Sequence, residues 1–154
     1  MFLALAAWLG ALIFFPVVAQ TSFSALPSAH LAGLVVRGSL LKLHWLGMIC
    51  GAIFVASSLL CNRILRGRMQ LLALSHILVL VMLILTAISQ FRIIPQMESL
   101  RVAAGEINSL APSDPIRAQF DSLHHRSTRI EGTVLVLGVF VLYLTSKRFA
   151  SSRA

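Results

Sequence analysis

Four polar residues with side chains suited to ligand binding each lie near one end of a long apolar segment: Gln20, His44, Gln90 and Glu131. An ionised carboxylate at the edge of a lipid-spanning segment is costly, so Glu131 must pair, reach water or take a proton. Arg92 falls level with Glu131 when the intervening chain is folded back on itself. We expect Glu131 to bond to at least one of Arg92 and His44, with Arg92 as the first choice. The sequence therefore predicts a polar cup that consists of Gln20, His44, Gln90, Arg92 and Glu131.

The cup also suggests a metal site. His44 and Met48 are one helical turn apart, and imidazole with thioether ligands suits copper(I). Glu131 could complete a set of three metal ligands, His44, Met48 and Glu131. The same spacing is common where helices merely pack, so the metal and the packing interpretations both stay open.

A haem held between His44 and His76 is disfavoured by geometry. His44 lies near one end of its apolar segment and His76 near the opposite end of the next. Their heights differ by roughly 15 Å at 1.5 Å per residue, too far for one iron. We expect His76 to be a hydrogen-bonded histidine inside the bundle.

Four apolar segments must position these residues: about 1–26, 43–61, 69–91 and 128–146. Each approaches the roughly 20 residues that cross a bilayer, and backbone groups in lipid must pair internally, which requires helices. Only 12% of the chain is charged, against about 25% in soluble domains. The sequence predicts one all-α domain over 1–154, an integral membrane four-helix bundle. A cleaved signal peptide is the alternative for the first segment, although no basic residue precedes it.

The stretch 92–127 between the third and fourth segments has helical periodicity on both sides of a turn at "LAPSD". Asp114 is a good N-cap, and Pro115 is a good first helical residue. We predict an extramembrane helical hairpin here, with antiparallel helices at about 96–108 and 115–127.

Basic residues indicate the orientation. The loop "CNRILRGR" and the C-terminal tail carry arginine or lysine and no acid, whereas all five acids lie on the opposite side of a four-span bundle. The positive-inside rule then places both termini in the cytoplasm, in a bacterial inner membrane, with the cup facing outward. The net charge of +8 is spread among segments without a basic, aromatic-rich face. We therefore expect the lipid bilayer as partner, and no nucleic acid.

Glycines mark the expected packing faces. Gly47 and Gly51 form a small-xxx-small pair in "GMICG", and Gly138 lies on the inner stripe of the fourth helix. These faces could pack within the bundle, against another membrane protein or against a second copy. Cys50 and Cys61 are roughly 16 Å apart along one helix, beyond the disulfide limit of about 7 Å between Cα atoms.

Three motifs carry a resemblance: "LHWLGMICGAIF", "TAISQFRIIPQMESLR" and "FDSLHHRSTRIEG". Together with the "FFPVVAQTSFSAL" exit of the first helix, they resemble the bacterial membrane family of unknown function grouped with transmembrane protein 205. The resemblance implies a four-helix membrane domain and carries no chemistry for single residues. The architecture is loosely similar to copper-resistance protein D and to HemJ-type protoporphyrinogen oxidases. The HemJ group has a histidine in its first span, and Met1–Ala19 has none.

The leading functional interpretation is a non-enzymatic membrane protein that binds or passes a small ligand or metal ion at the cup. One alternative is an accessory subunit of a larger membrane complex, packed through the first helix and the Gly47/Gly51 face. Another is a porphyrin- or haem-linked oxidase. The cofactor is left open, with a copper-type metal as one candidate. Asp121, His124 and Ser127 share one helix, but no strained turn or oxyanion hole accompanies them.

Overall fold

A computed structural model describes residues 1–66 and 74–150 of the chain, without the side chains of 65, 66, 149 and 150. The predicted start of the third segment at Met69, Arg68 of the basic loop and the last four residues lie outside this part. Within it the chain is helical: α1 (Phe2–Ala25), α2 (Ala29–Arg66), α3 (Leu74–Ile88), α4 (Ile94–Ala104) and α5 (Pro115–Ala150), with a π-helical turn at Ser89–Ile93 and a 3-10 turn at Ile107–Ser109.

Four helical stretches are long and apolar enough to cross a membrane: Phe2–Ala25, Ala29–Ile64, Leu74–Ala104 and Pro115–Arg148. The predicted all-α membrane architecture with four spanning helices is confirmed at this level. The last three stretches exceed the roughly 20 residues that a crossing requires, so they either tilt or continue past the lipid. Large apolar side chains cover the outer surface of the bundle, where they contact lipid.

Helix α2 begins much earlier than the predicted segment 43–61. Ser28 caps it by accepting the backbone N–H of Leu31 at 3.2 Å, directly after Pro27, which cannot continue a preceding helix. Arg37 and Lys42 lie in this N-terminal part of the helix, outside the predicted apolar segment. Charged residues end an apolar run without ending a helix, and this stretch contains no proline.

The third apolar segment continues through the π-helical turn into α4 without a break. Its helix was expected to reach residue 108 but ends at Ala104. Gly105 has φ of +72°, a left-handed conformation that glycine adopts at helix ends without steric cost. The 3-10 turn then leads to α5.

Helix α5 begins as the sequence predicts. The Asp114 carboxylate accepts the backbone N–H of Ile116 at 2.7 Å, and Pro115 is the first helical residue. Helix α4 contacts the first turns of α5. The position of these two helical stretches outside the membrane stays a prediction.

The core lies between α1, α2, α3 and α5. Helix α1 packs mainly on α2, and α3 packs on α5 and α2. Trp8 is the largest fully buried side chain, and Phe54 and Met82 lie in the same cluster. The residues of this cluster are apolar, and the two buried histidines lie toward opposite ends of the bundle, His44 at one end and His76 at the other.

Candidate functional site

A chain of hydrogen bonds joins three helical elements at one end of the bundle. His44 of α2 lies between Gln90 of the π-helical turn and Glu131 of α5. Its Nδ1 is 2.9 Å from Gln90 Oε1, and its Nε2 is 2.6 Å from Glu131 Oε1. His44 is only 1% exposed and Glu131 16%. The chain therefore holds an acid and a base almost entirely out of water.

The two hydrogen bonds of His44 limit where the protons on its ring and on Glu131 can lie. An amide oxygen can only accept, so the His44 Nδ1–H donates to Gln90. The short contact between Nε2 and Glu131 then requires one proton. That proton gives either an imidazolium with a carboxylate or an imidazole with a carboxylic acid. Both arrangements are neutral overall, which limits the cost of burial.

Of the two expected partners of Glu131, the structure places His44, and not Arg92, beside the carboxylate. Arg92 is exposed, and His44 holds the carboxylate instead. Residues two positions apart on a helix point in nearly opposite directions, so Arg92 cannot share the inner face that Gln90 occupies. Gln20 is also exposed, on the C-terminal part of α1. Three of the five predicted cup residues are thus brought together, and two are not.

Glu131 also lines a cavity of about 620 Å³ between α1, α2, α4 and α5. We call it the Glu131 cavity. Its walls are largely apolar and include Leu12 and Phe15 from α1, Leu40 from α2 and Leu135 from α5. His44 uses one Glu131 oxygen, and in the described part of the chain no hydrogen bond engages the other. An acceptor therefore stands at the edge of an apolar cavity.

A second polar group, the arginine cluster, lines the same cavity. It consists of Arg37 on α2 and Glu98 and Arg101 on α4. Glu98 Oε2 lies 3.1 Å from Arg37 Nε and 3.3 Å from Arg101 Nη1. Sequence reasoning missed Arg37, because this residue lies outside the predicted segment 43–61 and its depth relative to α4 depends on tertiary packing.

The donor atoms of the predicted metal site are partly engaged with one another. No group of three or more His, Cys, Asp or Glu side chains suited to a metal occurs in the described residues. Met48 is half-buried, but both ring nitrogens of His44 already face Gln90 and Glu131. A metal bound by His44, Met48 and Glu131 would have to replace one of these hydrogen bonds.

His76 lies near the opposite end of the bundle. Its Nε2 is 2.8 Å from Ser58 Oγ, so the expectation of a hydrogen-bonded core histidine is confirmed. Ser58 lies about 21 Å beyond His44 along α2 at 1.5 Å per residue. The two histidines cannot bind one haem iron.

The three predicted packing glycines all face side chains of the same chain. A Cβ on Gly47 would collide with the Trp8 indole, and one on Gly51 would lie 2.7 Å from Leu83 Cδ2. A Cβ on Gly138 would collide with Leu9. The Gly47/Gly51 face is therefore filled from within the bundle, which leaves the first helix as the remaining surface of the accessory-subunit interpretation.

A family model described as "Domain of unknown function (DUF4149)" matches residues 3–106. The chain belongs to this DUF4149 family. The match covers α1, α2, α3 and α4, and so includes His44, Gln90 and the whole arginine cluster, whereas Glu131 lies beyond it. No curated protein and no solved structure was found to match the chain. Membership agrees with the predicted membrane family of unknown function and assigns no activity.

Proposed function

We propose that the protein binds a small amphipathic molecule in the Glu131 cavity. The observation that carries the proposal is the position of Glu131. It lines a cavity of about 620 Å³ with apolar walls, while only one of its oxygens is engaged by His44. Ligand sites are typically apolar concavities of ~300–1,000 Å³ with a few placed polar groups.

The chemistry of the cavity defines the ligand class. A carboxylate oxygen accepts hydrogen bonds and cannot donate, so the ligand must offer a hydroxyl or amine to Glu131. Its remaining surface must be apolar to fit against side chains such as Phe15 and Leu135. The His44–Gln90 chain keeps the carboxylate in one orientation, which lowers the entropy cost of binding.

The predicted orientation of the bundle in the membrane indicates from which side a ligand would enter the cavity. With both termini in the cytoplasm of a bacterium, as the positive-inside rule indicates, the cavity lies at the outer end of the bundle and extends from Glu131 to the side chains of α4. A ligand could then enter from the outer side or from the outer leaflet. The protein would act by binding or passing this molecule, and no reaction is assigned to it.

Decanol is a suitable first probe, because it combines one hydroxyl donor with an apolar chain. Native mass spectrometry of the protein released from mild detergent measures its retention. We expect saturable binding to the natural sequence and about fivefold weaker binding to Glu131→Gln, because a charged acceptor makes the stronger hydrogen bond. Asp121→Asn is the matched control: it makes the same change on an exposed residue of α5 outside the cavity. Equal retention by both variants, or none by the natural protein, would refute the proposal.

A further inference from the structure

We infer that the ligand of the Glu131 cavity carries an anionic group, which binds at the arginine cluster, in addition to the donor that binds at Glu131. This inference rests on the proposed function and narrows the ligand to a single-chain amphiphile with two polar points. The argument starts from the imbalance of donors and acceptors within the cluster.

One carboxylate serves two guanidinium groups. The same atom, Glu98 Oε2, lies 3.1 Å from Arg37 and 3.3 Å from Arg101. Each guanidinium carries five N–H donors, so most of the donors in the cluster remain without a carboxylate. Glu106 also lines the cavity but is exposed, and none of the ion pairs among the described residues involves it. The cluster keeps one positive charge beyond what Glu98 neutralises.

Arg101 is held against the cavity wall. It is 13% exposed, and its guanidinium carbon lies 5.6 Å from the centre of the Phe120 ring. A Cβ on Gly33 would lie 3.4 Å from Arg101 Nη2, so this glycine lets the guanidinium approach the α2 backbone closely. Gly33 and Phe120 both line the cavity. A planar donor group fixed in this way suits a carboxylate or phosphate, which it can bind through two parallel hydrogen bonds.

The two polar points are separated along the cavity. Arg37 and His44 are both on α2, about 10 Å apart along the helix axis at 1.5 Å per residue. Leu40 lies between them and lines the cavity. The geometry fits a molecule with an anionic group, an apolar stretch and then a hydrogen-bond donor. The competing explanation is that the cluster only clamps α2 to α4, and it predicts no preference for a charged ligand.

Three probes with the same chain length separate these explanations: decanol, decanoate and ω-hydroxydecanoate. They compete at equal concentration for the protein in mild detergent, and native mass spectrometry gives the ratio of their Kd values. We expect decanoate to bind at least tenfold more tightly than decanol, and ω-hydroxydecanoate to bind most tightly. Arg101→Gln should bring the decanoate-to-decanol ratio near one, Arg37→Gln should reduce it, and Arg101→Lys should restore part of it. The ratio does not depend on how much of a variant is folded.

Arg126→Gln is the matched control, because Arg126 is an exposed arginine of α5 outside the cavity, and its ratio should equal that of the natural protein. If decanol binds as tightly as decanoate, and Arg101→Gln leaves the ratio unchanged, the arginine cluster is only a clamp and the inference is wrong while the proposed function stands. If the natural protein retains none of the three probes, the proposed function itself fails.

Discussion

Removing one member of the His44–Glu131 pair should destabilise the bundle about as much as removing both, because each single change leaves the other member without its partner. Glu131→Leu leaves the buried ring nitrogen of His44 without a partner, and His44→Leu leaves the carboxylate without its donor. Breaking a fully buried ion pair costs about 3–5 kcal/mol. Because Glu131 is 16% exposed, water can partly solvate it, and we expect about 2–4 kcal/mol for each single change.

The double variant His44→Leu/Glu131→Leu removes both members of the pair, so neither remains as an unpaired buried polar group. It leaves only Gln90 without its bond, at a cost of about 1–3 kcal/mol, and two leucines fill the space. We therefore expect the double change to cost about as much as one single change, which means an interaction energy of about 3 kcal/mol in the mutant cycle.

Thermal unfolding in detergent measures these differences. Trp8 is 1% exposed and contacts the α2 helix one turn beyond His44, so its fluorescence reports loss of packing near the pair. Each single change should lower Tm by on the order of 10 °C, given about 2–4 °C per kcal/mol for a chain of this size. Arg92→Gln is the control, because Arg92 is exposed and should change stability by less than about 0.5 kcal/mol. Additive single effects, or a loss with Arg92→Gln as large as with Glu131→Leu, would refute the pairing.

Three further predictions concern packing, buried polar groups and topology. Gly47→Ala should cost about 1–3 kcal/mol by overpacking against the Trp8 indole, whereas Gly10→Ala, whose Cβ would meet nothing within 4 Å, should be neutral or stabilising in the same melts. Thr145→Val should raise the unfolding free energy by about 1 kcal/mol, because the buried Thr145 hydroxyl has no hydrogen-bond partner among the residues that the structure describes; a lower Tm would contradict this. A reporter inserted at Ser113 should read periplasmic and one at Gly67 cytoplasmic, and the reverse result would invert the orientation.

The parts of the fold that follow from local chemistry could be read from the sequence. Four apolar segments required helices, and the Asp114–Pro115 pair fixed the first residue of α5. The early start of α2 was missed because hydropathy was used to delimit the helix. The capping sequence Pro27–Ser28 was the signal that could have revealed it, since a helix start depends on capping and not on apolar content.

A residue of the site could be predicted only where its position along the helix axis is enough to place it there. His44, Gln90 and Glu131 lie at similar depths in their segments, and depth can be counted along a sequence. Which face a residue occupies depends on rotation about the helix axis. Rotation separates Arg92 from Gln90, and a count of depth alone could not exclude Arg92. To predict the arginine cluster, one would also need to know which helices are in contact, because Arg37 lies on α2 and its partner Glu98 lies on α4.

The buried Glu131 side chain can therefore fix the packing of the helices and also, in the proposed function, bind a ligand. Glu131 Oε1 bonds to His44, and His44 also bonds to Gln90. These two bonds join α2, the π-helical turn and α5 at one depth in the bundle. Buried polar pairs are weak contributors to net stability, and their best-attested role is to fix register between helices. Apolar contacts carry no direction, whereas this chain of hydrogen bonds adds a directional constraint to the packing of the three elements. The other carboxylate oxygen has no hydrogen bond in the described part of the chain, so in the proposed function the bond that fixes the register would also orient an acceptor for the ligand.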